Sequence, residues 1–108
     1  MIVCEVYYSA KPGMRDELMK IAQVNVDASR KEKGNIAYTH YPSMENDTGM
    51  FVFELWETAK DLEAHIHSEH YLEFSRKRKD LMQEDSYRFK EYEATLIREG
   101  SKIASWNW

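Results

Sequence analysis

"MFVFELWETAKDLEAHIHSEHYLEF", residues 50–74, changes its periodicity in the middle, and that change decides the fold. Up to Trp56 the side chains alternate. Phe51, Phe53 and Leu55 point one way and Val52, Glu54 and Trp56 the other, which is the repeat of a strand. Beyond Thr58 the positions Leu62, Ile66, Tyr71, Phe74, Arg78, Leu81 and Met82 recur at helical spacing. The spacing predicts helices over 58–66 and 69–83 with a kink near Ser68, whose short hydroxyl suits the N-cap of the second.

Working outward, "NIAYTHY" (35–41) reads as a strand, and "ENDTG" has the composition of a hairpin turn leading into the strand at 50–57. "IVCEVYY" (2–8) alternates and is rich in β-branched and aromatic residues, so it opens the chain as a strand before Pro12-Gly13. From Met14 a helix of about 18 residues is predicted: Leu18, Ile21, Ala22 and Ala28 share a stripe with Asn25, and Gly34 supplies the stop after "RKEK". "YRFKEYEATLI" (87–97) alternates again. The order is β-α-β-β-α-β, an α+β domain of the ferredoxin-like type.

A chain of 108 residues is one domain, 1–108, with an aromatic tail over about 98–108 whose Trp106 and Trp108 are expected to dock on protein surface. Hydrophobic content of 43% with 31% charged residues describes a globular chain, and no apolar run is long enough for a membrane. The N-terminus has no basic n-region, so the cytoplasm is the expected location. Lysine and arginine number 15 against 19 acids, a net charge of −4 that disfavours nucleic acid as a partner. In the basic run Arg76–Lys79 only Arg78 falls where it could turn inward toward an anion. Cys4 is the only cysteine and sits in an apolar strand, which excludes an intramolecular disulfide. Both faces of the third strand are apolar while the helices can cover only one, so a second copy is expected on the other, giving a homodimer.

His65, His67 and His70 raise the question of chemistry. On one helix only His67 and His70 share a face, although a kink at Ser68 removes that restriction. A zinc or iron centre would need further ligands and supporting groups, and the cysteine is far off in the first strand; no metal is expected. Acid/base work fits better. His65, beside Ile66 and three after Leu62, borders the space between helices and sheet, where Glu54 and Trp56 are expected as well. Glu54 in an apolar strand needs a partner, with His65, His70 or a backbone donor as the options. No GxGxxG, P-loop, nucleophile elbow or CxxC occurs, so no nucleotide or flavin cofactor has support.

The run Glu54, Trp56, Glu57, Thr58, Leu62, Ala64, His65, Ser68, His70 and Tyr71 resembles the antibiotic biosynthesis monooxygenase family, and more closely its bacterial quinol-monooxygenase-like branch. "KPG" before the first helix and "EKGN" before the second strand extend the likeness over about residues 1–97. The resemblance implies a dimeric α/β barrel with one pocket per subunit, bordered by His65 and Trp56. It also implies oxidation of a quinol or polyketide phenol by molecular oxygen without a cofactor. Haem degraders in the family use an asparagine in the first strand, where this chain has "VYY". The expected catalytic residues are His65 as base, with Glu54 orienting it or His70 assisting. Trp56, Asn25, Tyr38, Tyr71, Phe74 and Arg78 are the expected substrate-binding residues, and a small aromatic compound and O2 the partners. Rival expectations are an isomerase or detoxifying enzyme on a small carbonyl or phosphorylated compound, whose anion would require Arg78, Arg88 or another cation in the pocket, and a non-catalytic small-ligand-binding dimer.

Overall fold

The hairpin announced by "ENDTG" forms because Asn46 folds back on the turn: its Oδ1 accepts from the backbone N–H of Thr48 at 3.2 Å and of Gly49 at 2.7 Å. It joins strands β2 (Asn35–Pro42) and β3 (Gly49–Trp56) in the computed structural model, which describes residues 1–101. Strand β1 (Ile2–Ser9) lies between β3 and β4 (Arg88–Glu93), so the antiparallel sheet has the order β2-β3-β1-β4. Helices α1 (Arg15–Ser29), α2 (Ala59–Ile66) and α3 (Glu69–Leu81) follow β1 and β3 in chain order. With one helical connection made of two pieces, this is the α+β ferredoxin-like arrangement.

Register sets up the site. Cys4 lies opposite Glu54 on one side and Glu91 on the other, and Val6 lies between Val52 and Phe89. These two rows share a sheet face because they are two residues apart on every strand. The helices cover that face. Cys4, Val6, Tyr8, Tyr38, Met50, Val52 and Trp56 are buried there against Leu18 and Val26 of α1. Of the predicted stripe on α1, Leu18, Ala22 and Asn25 are buried and Ile21 and Ala28 partly so, while Val26 and Ser29, not in the predicted set, complete the buried face.

Ser68 makes the predicted kink. Its Oγ donates to the His65 carbonyl at 2.7 Å, stopping α2, and accepts from the Tyr71 N–H at 3.3 Å, capping α3. His65 in the last turn of α2 and His70 in the first turn of α3 thereby face a common space, which a continuous helix would forbid.

Three boundaries differ from expectation by two residues or more. The first helix ends at Ser29, short of the predicted 18 residues, because a turn already begins at Arg30 and runs to Gly34 at φ +80°. A side chain at Gly34 would also strike Asp61 of α2, so the glycine permits the close approach as well as the turn. The last helix stops at Leu81 rather than 83. The fourth strand covers Arg88–Glu93 instead of 87–97; its last ladder pair is Glu93 with Ile2, the first residue of β1. Trp106 and Trp108, expected to dock, lie outside the described residues. No helix among the described residues is long and apolar enough to cross a membrane.

Candidate active site

His65 is buried, with 1% of its surface exposed, inside a box of rings: Trp56 and Tyr71 at centroid distances of 4.8 Å each and Tyr38 at 5.2 Å. Its Nδ1 lies 2.7 Å from Oε1 of Glu32, in the turn after α1. The same oxygen lies 2.6 Å from Nε2 of His70. An ionised carboxylate only accepts, so both imidazoles present N–H groups to it. Burial lowers the pKa of His65, against the opposing pull of the Glu32 hydrogen bond, and the ring is neutral at pH 7. Nδ1 then carries the proton and Nε2 a lone pair. That Nε2 is buried without a hydrogen-bond partner among the described residues, and the His65 side chain is one of those lining a cavity. A fixed tautomer with one free basic nitrogen is the arrangement a general base requires.

The cavity is about 200 Å³. A void of about 150 Å³ already admits benzene, so there is room for a small aromatic ring system. The sheet rows form its floor through Cys4, Val6, Glu54, Phe89 and Glu91; the helices add Leu62, His65, Ile66 and Tyr71, and Tyr87 precedes β4. Glu54 is the one buried carboxylate in this wall. Its Oε1 accepts from the Trp56 indole N–H at 3.0 Å, two residues along the same strand face, and lies 3.9 Å from His65 Nε2, beyond hydrogen-bond reach. Burial pushes its pKa up to about 7, with the indole hydrogen bond and the Arg78 charge holding it back. Burial likewise pushes the Cys4 thiol up to about 12, so it lines the cavity as an inert apolar group.

The expected residues thus separate into groups. His65, Glu54 and Tyr71 line the cavity, Trp56 backs His65 from inside the core, and His70 reaches His65 through Glu32. Asn25 donates to the Tyr38 hydroxyl at 2.9 Å and both are sealed in the core, away from the cavity wall. Phe74 packs on His40 at 5.7 Å, and Arg78 lies in a neighbouring pocket. His67 is exposed and pairs with Glu63. Glu54, for which His65, His70 or a backbone donor were the expected partners, bonds to Trp56; the carboxylate that holds His65 is Glu32.

Glu32, Tyr87, Phe89 and Glu91 were not singled out by sequence reasoning. Glu32 stands in "EKGN", yet no periodicity marks a turn residue as facing a histidine 33 positions later. Glu32, His65 and His70 also present one ligand atom each within 4.8 Å of one another, a set that could hold a divalent cation. The separations of 2.6 and 2.7 Å around one oxygen are those of hydrogen bonds, so a cation there would replace two imidazole protons.

The fold and this cavity define a ferredoxin-like α+β domain with a half-open pocket lined by His65, Glu54 and Tyr71 between helices and sheet. The sequence model of the antibiotic biosynthesis monooxygenase family matches residues 1–77, and the chain belongs to that family. It is 30% identical over 82 residues to "Putative monooxygenase YcnE" of Bacillus subtilis, covering 76% of this chain and 86% of that one. It is 31% identical over 72 residues to the uncharacterized protein sll1783 of Synechocystis, covering 67% of this chain; the matched segment spans about half (49%) of that relative's length. Among solved structures, a putative antibiotic biosynthesis monooxygenase from Nitrosomonas europaea superimposes with a TM-score of 0.83 at 26% identity, over 89% of this chain and 100% of that one. A Deinococcus radiodurans structure of TM-score 0.84 and 16% identity, covering 94% of this chain and 100% of that one, shares the fold.

Proposed function

We propose that the protein is a monooxygenase that oxidises a small quinol or phenol with molecular oxygen and without a prosthetic group. The observation that carries this reading is His65: neutral, its tautomer held by Glu32, its Nε2 without a hydrogen-bond partner among the described residues, and its ring in the wall of a largely apolar cavity of ring size. Family membership supports it.

The substrate hydroxyl gives its proton to Nε2, and the imidazolium that forms is stabilised by the Glu32 carboxylate at 2.7 Å. His70, partly exposed and bound to the same oxygen, supports Glu32 from the solvent side. The electron-rich aryl oxide passes one electron to O2, and the two radicals join at a ring carbon. The peroxide anion takes back the proton held by His65, and the hydroperoxide so formed loses the hydrogen of the same ring carbon together with its outer oxygen and proton as water, leaving a quinone. One oxygen atom enters the product, the other leaves as water, and the two electrons that reduce it come from the substrate. The apolar walls keep bulk water from the intermediate.

The test is oxygen uptake with a panel of reduced naphthoquinols and benzoquinols, corrected for autoxidation, with His65→Ala beside the wild type. Uptake that collapses in His65→Ala is expected. No uptake above background with any quinol would overturn the oxygenase reading, and a variant that still binds a naphthol without turnover in either protein would point to a binding module.

We infer further that a second copy covers the outer sheet face. There Phe51 lies between Tyr7 at 4.8 Å and Tyr41 at 6.2 Å, and both tyrosines are about half exposed (46% and 50%). Such a continuous aromatic face is costly to leave in water. Light scattering at low micromolar concentration is expected to give twice the mass of one chain; a monomer mass refutes it.

A further inference from the structure

Arg78 is the member of the basic run 76–79 that turns inward, and it is 6% exposed. Its guanidinium carbon sits 4.8 Å from the Phe74 centroid, 5.1 Å from Tyr87, 5.2 Å from Tyr8 and 6.0 Å from Tyr71. The only side-chain hydrogen bond it makes among the described residues is to the Tyr71 hydroxyl, at 3.4 Å. No carboxylate among them pairs with it. A guanidinium has five N–H donors, and rings that attract the cation through their faces do not satisfy them. A buried cation lacking a paired anion is a costly arrangement, and no carboxylate among the described residues comes within ion-pair distance of it.

The space beside it says where that anion comes from. Arg78 walls a pocket of about 340 Å³ together with Tyr71, Ser75, Lys79, Met82 and Tyr87. Tyr71 and Tyr87 also wall the His65 cavity, so the two spaces adjoin across this tyrosine pair. A ring seated against His65 would extend a substituent past Tyr71 and Tyr87 to the guanidinium.

We propose that Arg78 is an anion subsite of the His65 cavity and that the ligand is an aromatic acid, a hydroxylated ring carrying a carboxylate. The planar guanidinium fork matches a carboxylate, and one buried cation matches one negative charge. A phosphate ester would bring a second charge, which in this pocket only the exposed Lys79 is placed to meet, whereas a single carboxylate is matched by the buried guanidinium fork alone. The hydroxylated ring rests on the oxygenase reading; the carboxylate rests on Arg78 alone.

The test is calorimetric titration of the full chain with 1-hydroxy-2-naphthoate, 1-naphthol and 1-naphthyl phosphate, using wild type and Arg78→Met. The naphthoate is expected to bind about tenfold or more tighter than the naphthol, and Arg78→Met to abolish that preference while leaving the naphthol within about twofold. Equal wild-type affinities, absence of binding, or a preference that survives Arg78→Met overturns the proposal, and tighter binding of the phosphate overturns the carboxylate assignment. Should Arg78→Met fail to fold, the arginine Nε–H signals of ¹⁵N-labelled wild type decide: the naphthoate must shift one that the naphthol leaves in place, and no such shift overturns the proposal. Acid-selective binding with no oxygen uptake from any quinol would leave this subsite standing and remove the oxygenase reading. Equally fast uptake from neutral quinols and from their carboxylated counterparts would do the reverse.

Discussion

Replacing Glu54 by Gln is expected to stabilise the protein in alkaline solution and to leave it unchanged in acid. Glu54 is buried in β3, and burial raises its pKa from 4.5 to about 7. In the folded state the carboxyl keeps its proton to higher pH than in the unfolded chain. Its contribution is therefore fully present below pH 4.5 and is lost as pH rises through 7. The interval corresponds to about 3 kcal/mol, at about 1.4 kcal/mol per pH unit. Gln keeps an acceptor oxygen for the Trp56 indole, which donates to Glu54 at 3.0 Å, while removing the charge. Urea denaturation of both proteins from pH 4 to 8.5 should show nearly equal stabilities at the acid end. A gap in favour of the variant should grow above pH 5 and level off near 8 at about 3 kcal/mol at most. A gap that stays within about 0.5 kcal/mol over the whole range would refute the account of Glu54 as a carboxyl held near neutrality by burial.

Glu32→Ala removes the acceptor of two imidazole N–H groups and orphans the buried Nδ1 of His65; a loss of about 2–4 kcal/mol is expected, with Glu32→Gln losing about half as much. Imidazole ¹⁵N spectra of the wild type should show the Nδ1–H tautomer at His65, and an Nε2–H tautomer would contradict the assigned base. His40, whose pKa burial lowers to about 3, should make the protein acid-labile, because the unfolded chain binds its proton from pH 6.5 downward while the folded ring stays neutral. The stability of His40→Gln relative to wild type should accordingly improve by about 1.4 kcal/mol per pH unit between pH 6 and 4, and a pH-independent difference would refute this. Elemental analysis of protein purified without a histidine tag is expected to show no stoichiometric zinc or iron. A full equivalent that disappears in His70→Ala would recast Glu32, His65 and His70 as a metal centre.

Elements were legible in the sequence wherever local periodicity carries the information. The alternation through Trp56, the helical stripes of Leu18 to Ser29 and of Phe74 to Arg78, the Asn46 turn and the Ser68 break are all set by residues a few positions apart. The boundaries that moved were not marked by local periodicity: β4 ends where β1 runs out, and α1 gives way at Arg30 to a turn that runs to Gly34. The site divided in the same way. His65 stood out through its place beside Leu62 and Ile66, and Arg78 as a cation on an apolar stripe.

What only the tertiary structure decided was which groups meet. Asn25 and Tyr38 satisfy each other in the core, Glu54 takes the indole of Trp56, and a turn glutamate, Glu32, holds two histidines 33 and 38 positions away. Periodicity records the face on which a side chain lies. The partner it finds there depends on register and helix packing across the whole chain, and a buried hydrogen bond is set by distances of ångströms that no local pattern encodes.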